Sequence, residues 1–370
     1  MSGQFAFSFA GDDIDEEDQV GTNATSISTK QTTAAPSSAF PVAGKPLIPA
    51  RRHDLKKMLS ELPSKIAYSV LDVDLDGNGT VRLPRRELWD VRVQLMAEDE
   101  GGVGGEAESG LGSHDVKTGV YEGGFKSWES SVDLVKVLAQ SQSFLSSQDG
   151  TPCVIELGCG TALPSLALFQ WAAALGPTGQ PSSLSIVLAD YNPTVLQLVT
   201  LPNFILSWAL QALQHQQTSS IVADALSSEG ELELSGGVIQ AFEGFLTERN
   251  ITLHFLSGAW SPEFVELVKA SQQSVLRSGF RQRTVILGAE TIYSPFALQS
   301  FTETVFSLME QQAQGNEAEA LIGAKKLYFG VGGSLDDFVM KARGLGAVID
   351  QLREETEGVR RGVVRCALRP

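Results

Sequence analysis

The chain has 370 residues and a formal net charge of -16, with an isoelectric point near 4.7. This acidity disfavours a nucleic-acid-binding surface and suits a basic protein partner. The three cysteines show no metal-ligand spacing, and neither an apolar run of membrane-spanning length nor a secretory leader is evident. We therefore expect a cytoplasmic or nuclear monomer without a metal, binding neither membrane nor nucleic acid.

The composition divides the chain into three parts. Residues 1–46 are rich in Ser, Thr, Ala and Gln and include an acidic run, which predicts a disordered acidic tail. Residues 47–119 are predicted to form an N-terminal extension and a flexible linker, and residues 120–370 the main domain. The extension is expected to contain a helix over 54–61 and strands over 67–73 and 88–96.

A stretch of the extension, DLDGNGTV, imitates a calcium-binding loop. Asp74, Asp76 and Asn78 stand at its first, third and fifth positions. The twelfth position, which needs a bidentate carboxylate, is Arg85. We therefore expect an acidic turn between two strands rather than a calcium site.

A glycine pair and an aromatic residue precede the first helix of the main domain. Gly123 and Gly124 predict a turn, and Trp128 begins an apolar run at helical spacing. Periodicity alone is compatible with Trp128 as a packed helix start or as a ligand contact.

The segment 153–164, CVIELGCGTALP, is typical of a buried strand, a tight glycine turn and a helix start. Gly158 and Gly160 let the backbone approach a ligand closely. A dinucleotide site needs a third glycine where Leu163 stands, which disfavours a pyrophosphate. The acidic Glu156 favours S-adenosylmethionine, which carries ammonium and sulfonium groups. An ordinary strand-to-helix turn is the alternative.

The next strand, predicted over 184–189, is followed by Asp190, Tyr191 and Asn192. A carboxylate after the strand that follows a glycine-turn helix is a common ligand for a ribose diol. The alternative role for Asp190 or Asn192 is to cap the following helix. We expect Pro202 to break that helix.

Two further strands end at the same edge of the predicted sheet. The strand at 251–256 leads into SGAW, which places Trp260 where an indole could stack on adenine or simply pack. The strand at 284–287 leads into GAETIYSP, which places Glu290 and Tyr293 at this edge.

The remaining predicted elements are a strand over 326–331, a helix over 334–343 and two closing strands over 346–351 and 362–368. Strands and helices alternate up to this closing pair. The pattern therefore predicts an α/β fold with a three-layer architecture.

Several strings in this order resemble the eukaryotic histidine protein methyltransferases, which belong to the seven-strand S-adenosylmethionine-dependent methyltransferases. The strings are VYEGGFKSWE, ELGCG, DYN at Asp190, TLPN at Thr200, SGAW, ETIY at Glu290 and YFGVGG at Tyr328. Ala259 departs from the pattern, since related proteins usually carry an acidic residue before the Trp. The resemblance implies a Rossmann-like sheet and methyl transfer to an imidazole nitrogen of a histidine in universal large-subunit ribosomal protein three.

The resemblance also implies roles for individual residues. Those expected to bind the cofactor are Trp128, Glu156, Gly158, Cys159, Gly160, Asp190, Tyr191, Asn192 and Trp260. Among them, Asp190 would hold the ribose and Trp260 would face adenine. Glu290 and Tyr293 would be catalytic, and Gly332 and Gly333 would shape the peptide entrance.

The chemistry needs few titratable groups, because imidazole has a pKa of about 6.5 and is largely neutral near pH 7. We expect Glu290 to accept a hydrogen bond from the imidazole N–H that is not methylated, or else to serve as a helix N-terminal carboxylate. Two other functions stay open: a lysine methyltransferase of the same fold, and a non-catalytic chaperone of the ribosomal protein.

Overall fold

The computed structural model describes residues 46–100, 123–141, 143–146, 150–175, 183–214, 220–273, 281–310, 316–327 and 333–369. The predicted tail up to residue 45 and the predicted linker over 101–119 lie outside these ranges.

The strands are β1 (Arg51–His53), β2 (Lys65–Asp74), β3 (Thr80–Arg86), β4 (Gly150–Leu157), β5 (Leu184–Asp190), β6 (Glu231–Glu233), β7 (Ile251–Ser257), β8 (Arg281–Ala289), β9 (Glu317–Lys325), β10 (Val348–Glu355) and β11 (Arg361–Ala367). The helices are α1 (Leu55–Ser60), α2 (Leu88–Glu100), α3 (Glu129–Gln140), α4 (Ser143–Ser146), α5 (Leu163–Ala174), α6 (Pro193–Val195), α7 (Leu201–Gln214), α8 (Ser220–Ala225), α9 (Gly236–Glu248), α10 (Pro262–Gln273), α11 (Pro295–Glu310) and α12 (Leu335–Gly344). A 3₁₀ turn spans Gly123–Phe125 and a π-turn spans Leu196–Thr200.

Within the described ranges, eight strands form one sheet in the order β1-β7-β5-β4-β8-β9-β11-β10. The five from β7 to β9 are parallel, whereas β1 and β11 run antiparallel to their parallel neighbours. Chain order reverses at β4, which lies between β5 and β8. The loops at the carboxyl ends of these strands diverge there, and ligands bind at such a point in open α/β sheets. The predicted α/β fold class is confirmed.

Both faces of this sheet are covered by helices. Leu134 of α3, Phe169 of α5 and Phe204 of α7 belong to one apolar cluster, and Phe264 of α10 and Phe338 of α12 belong to another. All five side chains are fully buried. The parallel strands are therefore buried on both sides, as their continuous apolar sequences predict.

One predicted strand of the extension is wrong, because residues 88–96 lie in the helix α2. The alternation Trp89, Val91, Val93, Leu95 is typical of a strand, but it also contains pairs four residues apart. The structure buries Val91 and Leu95 and exposes Trp89 and Val93. The helical period therefore decides which side chains pack.

The strand predicted over 326–331 is also misplaced, because β9 ends at Lys325. The sequence of β9, EAEALIGAK, contains several Ala and Gly residues, which are weak indicators of a strand. At Gly323 the structure requires a small residue. A Cβ at Gly323 would lie 2.9 Å from the carbonyl oxygen of Ser130, so α3 packs directly on the β9 backbone. Residues 328–331 lie outside the described ranges.

The helical run Pro193–Leu213 shows how Pro202 is accommodated. The chain does not break there; it passes through the π-turn and continues as α7. Among the described residues, this run of 21 residues is the one helix long and apolar enough to span a membrane, and 78% of its most apolar window is buried in the protein. It is the core helix of an α/β domain.

The extension contributes to two sheets. Its strand β1 pairs with β7 at the edge of the large sheet. Its hairpin β2–β3 pairs with β6 in a separate antiparallel sheet. The DLDGNGTV stretch forms the hairpin turn, as predicted, and the Asp76 carboxylate pairs with Arg353 and, at 3.2 Å, with Lys136.

Candidate cofactor and acceptor site

The glycine turn after β4 has a backbone that glycine alone adopts easily. Gly158 and Gly160 have φ values of 67° and 50°, in the left-handed region. A Cβ at Gly160 would lie 3.0 Å from the carbonyl oxygen of Gly124, and one at Gly158 would lie 2.5 Å from Cγ2 of Thr291. The turn is therefore enclosed by the 3₁₀ turn on one side and by the loop after β8 on the other.

The Asp190 carboxylate at the end of β5 reaches this turn. It accepts hydrogen bonds from the backbone N–H groups of Gly160 and Asn192, both at 3.1 Å. Burial raises the pKa of Asp190 to about 6, although the backbone donors oppose the shift. The carboxylate thus braces the turn and lies where the sequence predicts a ribose ligand.

Glu156, the last acidic residue of β4, lies deeper. It is 2% exposed, and it accepts a hydrogen bond of 3.0 Å from the backbone N–H of Ser165 in the first turn of α5. Burial, and to a smaller extent the charge of Asp190, raises the pKa of Glu156 to about 8. Glu156 therefore caps α5, and its predicted contact with the methionine ammonium stays a prediction.

Three other predicted cofactor residues make structural contacts. The Tyr191 hydroxyl accepts a hydrogen bond of 3.0 Å from the backbone N–H of Ile48, and the Asn192 side chain caps α6. Cys159 is buried with its Sγ 3.7 Å from Thr200 Oγ1, and burial raises its thiol pKa well above the usual value. The predicted roles of these three residues in cofactor binding stay predictions.

The two predicted tryptophans have different neighbours. Trp260 lies over the glycine turn, with its Cζ2 3.9 Å from a Cβ built on Gly158, and its ring packs edge-on against Phe301 at 5.5 Å between centroids. Trp128 precedes α3 and is 40% exposed, with Lys325 Nζ 5.4 Å from its ring centroid. Trp260 is therefore the tryptophan that the described contacts bring to the turn.

Glu290, directly after β8, combines an unusual backbone with a specific side-chain contact. Its φ is 58°, a conformation that costs a non-glycine residue about 1–3 kcal/mol. Its backbone N–H donates to the Gly323 carbonyl at 3.0 Å, and Ser130 Oγ donates to its Oε1. The neighbouring hydroxyl of Thr291 is buried without a hydrogen-bond partner among the described residues.

The other residues predicted for the acceptor side follow Glu290 or pack on its loop. Burial, together with the charges of Asp190 and Tyr191, raises the pKa of Tyr293 to about 12, so its phenol stays protonated near neutral pH. Gly333 has a φ of 85°, and a Cβ there would overlap the carbonyl oxygen of Ile292. Gly332 lies outside the described residues. The catalytic role of Tyr293 and the entrance role of Gly333 stay predictions.

Two side chains that sequence reasoning did not assign complete the turn. Thr200 Oγ1 donates to the Gly160 carbonyl at 2.7 Å, and Asn203 Nδ2 donates to the Thr161 carbonyl at 3.0 Å. Both residues belong to the TLPN string. That string was a signal of relationship, but nothing in its local sequence indicates a contact with residues about forty positions earlier.

Comparison with known proteins identifies the family. No protein-family model matches the sequence. Histidine protein methyltransferase 1 of Saccharomyces cerevisiae is 36% identical over 265 residues, covering 69% of this chain and 67% of the yeast protein. Histidine protein methyltransferase 1 of Schizosaccharomyces pombe is 31% identical, covering 86% of this chain and 85% of its own. The chain belongs to the histidine protein methyltransferase family.

Among solved structures, the rRNA methyltransferase AviRa of Streptomyces viridochromogenes is 13% identical, with a TM-score of 0.36 over 67% of this chain and 88% of its own. As a member of the histidine protein methyltransferase family, the chain is an enzyme that uses S-adenosylmethionine.

The site described above fits that cofactor. The turn has room for glycine alone at Gly158 and Gly160. Asp190 ends the strand that follows the glycine-turn helix, from which a carboxylate commonly binds a ribose, and Thr291 offers a buried hydroxyl beside the turn. When bound, S-adenosylmethionine supplies a methyl group already activated on a sulfonium.

Proposed function

We propose that the protein transfers a methyl group from S-adenosylmethionine to an imidazole nitrogen of a histidine in a protein substrate. The observation that carries this proposal is the placement of Glu290. Its carboxylate is held by Ser130, and the next residue, Thr291, contacts the glycine turn of the cofactor site. This proximity of a hydrogen-bond acceptor to the glycine turn supports the proposal, since we expect the methyl donor to bind at that turn. The names of the relatives support histidine as the acceptor.

The reaction places a modest demand on the enzyme. The lone pair of a neutral imidazole nitrogen would form a bond to the methyl carbon as the electron pair of the carbon–sulfur bond returns to sulfur. Neutral S-adenosylhomocysteine would leave, and the ring would carry the positive charge. Glu290 accepts a hydrogen bond from the other ring N–H, which selects the tautomer and stabilises the developing charge. Release of that proton to solvent completes the reaction. Alignment supplies most of the rate enhancement.

We further propose that the substrate is a basic ribosomal protein, universal large-subunit protein three, met in the cytoplasm or nucleus. The net charge of -16 supports this assignment, because an acidic enzyme attracts a basic substrate and speeds their encounter at low ionic strength.

The experiment that tests the function is labelling followed by identification of the modified residue. The purified enzyme is incubated with deuterated-methyl S-adenosylmethionine and extract from cells that lack it, and labelled peptides are fragmented in a mass spectrometer. We expect label on a histidine of the ribosomal protein, and a rate of labelling at least about 100-fold lower with Glu290→Gln. Label on a lysine would replace the proposal with the lysine methyltransferase alternative. Tight binding of the ribosomal protein without label would favour a chaperone.

The pH dependence of the rate gives a second test of the acceptor. A histidine acceptor predicts that kcat/KM for the protein substrate rises through about pH 6.5 and then levels off, because neutral imidazole is the nucleophile. A lysine acceptor predicts a continued rise toward about pH 10. Peptides with His or Lys at the target position provide the matched comparison.

A further inference from the structure

The TLPN string, Thr200–Asn203, lies where the π-turn joins α7. Single π-turns within helices recur at functional sites. Here the π-turn and α7 place the side chains of Thr200 and Asn203 on the same buried surface, facing the glycine turn. Both residues are 0% exposed, so each polar group must find its partner within the protein.

These two side chains bind consecutive carbonyl groups of the cofactor turn. Thr200 Oγ1 lies 2.7 Å from the Gly160 oxygen, and Asn203 Nδ2 lies 3.0 Å from the Thr161 oxygen. The turn contains three left-handed residues, Gly158, Gly160 and Ala162. Such a backbone persists when its surroundings determine it, and these two donors are part of those surroundings.

Asn203 is itself held by Arg86 of the N-terminal extension. The backbone N–H of Arg86 donates to Asn203 Oδ1 at 2.7 Å. With a carbonyl on one side and an N–H on the other, the orientation of the Asn203 amide is determined. The extension therefore reaches the cofactor turn through one side chain.

The guanidinium of Arg86 explains why this link is firm. Arg86 is 4% exposed, and its guanidinium donates to Asp90 at 2.7 Å, to Gln94 at 2.8 Å and, within the π-turn, to the Leu198 carbonyl at 2.9 Å. The charge is thus paired, and several of its N–H groups are hydrogen-bonded, which a buried charge requires. Arg86 binds the π-turn and Asn203 at once.

We infer that Thr200 and Asn203 are positioning residues of the S-adenosylmethionine site, and that Arg86 anchors them, so that the N-terminal hairpin is a working part of the cofactor site. The inference rests on the binding of the cofactor and does not depend on which residue is methylated. None of the three side chains needs to touch the cofactor. Thr200 and Asn203 fix the carbonyl groups of Gly160 and Thr161, and this keeps the backbone of the turn in the conformation that the ligand requires.

A pair of variants at Thr200 separates the hydrogen bond from the packing. Thr200→Val keeps the shape and removes the donor, whereas Thr200→Ser keeps the donor. Calorimetric titration with S-adenosylmethionine is expected to give a Kd about tenfold weaker for the valine variant, and within about twofold of wild type for the serine variant. The KM of the valine variant should rise for the cofactor and stay unchanged for the protein substrate.

A second pair tests the anchor. Arg86→Lys removes the fork of donors, and Gln170→Ala is its matched control. Gln170 joins the same hairpin to α7 by donating to the Arg82 carbonyl at 2.9 Å and to Ser207 Oγ at 3.0 Å, without touching the turn. We expect both variants to lower Tm, but only Arg86→Lys to weaken cofactor binding, by about fivefold.

The inference is overturned if the Thr200→Val and Arg86→Lys variants lose thermal stability as the control does and bind the cofactor with wild-type Kd. If Arg86→Lys does not fold, the Thr200 pair decides alone. A wild-type enzyme that binds the cofactor and methylates no histidine contradicts the proposed function and leaves this inference standing.

Discussion

The loops after β4 and after β8 meet above the same edge of the sheet, and both contain left-handed residues. After β4 these include Gly158 and Gly160, which adopt that conformation at little cost. After β8 the residue is Glu290, for which it is strained. The turn after β4 thus needs residues without a side chain, because neighbouring protein atoms occupy the space that a Cβ would take. After β8, a strained backbone holds the Glu290 carboxylate against Ser130.

The two loops also differ in how their polar groups are satisfied. Carbonyls of the glycine turn accept hydrogen bonds from buried side chains of the π-turn and α7. A backbone N–H of the same turn donates to the Asp190 carboxylate. Next to Glu290, the buried Thr291 hydroxyl has no partner among the described residues. Among the described residues, the polar groups of the loop after β4 are therefore better satisfied by hydrogen bonds than those of the loop after β8. We expect mutations in the loop after β4 to affect cofactor affinity, and mutations at Glu290 to affect turnover.

The largest expected effect comes from a side chain in the cofactor turn. Gly160→Ala places a Cβ 3.0 Å from the Gly124 carbonyl on a backbone with φ of 50°, so the turn must shift. We expect S-adenosylmethionine to bind at least about 100-fold more weakly, which is about 2.7 kcal/mol, by calorimetric titration. Gly236→Ala, where the Cβ meets open space, should bind normally. A Gly160→Ala variant with wild-type affinity would contradict the placement of the cofactor.

The acceptor loop is tested by Glu290→Gln, which keeps the shape and the strained backbone but loses the charge. We expect kcat to fall by about 10²–10³-fold, as for the loss of one preorganised electrostatic contact to the transition state, while the Kd for the cofactor stays unchanged. Ser130→Ala, which removes the donor to Glu290, should lower kcat by about tenfold. Equal turnover in all three proteins would remove Glu290 from the mechanism.

The pH dependence of cofactor binding tests the role of Asp190, the carboxylate at the end of β5 that bonds to the glycine turn. Burial raises the pKa of Asp190 to about 6, so in the ligand-free protein burial favours its protonated form. Stability from this group is present below the unfolded pKa of about 3.9 and is lost as pH rises through 6. We expect the ribose hydroxyls of the cofactor to donate to the ionised form, which would lower the pKa of Asp190 again.

Cofactor affinity should therefore rise with pH up to about 6, by roughly tenfold per pH unit below that value, and then change little through this group. Titration between pH 5 and pH 7 measures it. Asp190→Asn should bind weakly at every pH and lose that slope. A slope that survives in the asparagine variant would assign the dependence to another group, with Glu156 the next candidate.

The smallest effect is expected at the hairpin turn between β2 and β3. Asp76 pairs with Arg353 and Lys136, and Asp76→Ala should lower the free energy of unfolding by about 1 kcal/mol, as for exposed ion pairs. Asp72→Ala, which loses one exposed pair with Arg82, should cost less. Thermal unfolding measures both, and cofactor affinity should not change. A rise in Tm on adding calcium would contradict the assignment of DLDGNGTV as an acidic turn and would indicate a calcium-binding loop.

Local sequence patterns predicted most elements of the site. The buried strand β4, the glycine turn and the first residue of α5 agree with the pattern of 153–164. The positions of Asp190 and Glu290 followed from the rule that parallel strands end at one edge. These features depend on neighbours in sequence, so one chain is enough to infer them.

The misses depend on contacts between distant residues. The strand β1 is only three residues long and exists because β7 offers an open edge. Packing across the domain determines the π-turn that precedes Pro202. It also determines the hydrogen bond from Asn203 to the glycine turn. For α2, burial of Val91 and Leu95 against the π-turn overrode an alternating pattern. No local propensity carries that information.

The pairing of β1 with β7 has a consequence for the order of folding during synthesis. His53 bonds to Ser257, 204 residues further along the chain, and Ile48 bonds to Tyr191 and Ala259. At about 5–20 residues per second, a ribosome needs roughly 10–40 s to make that intervening stretch. The edge strand must stay unpaired for that time, so the sheet edge beside Asp190 and Tyr191 is among the last parts of the enzyme to assemble.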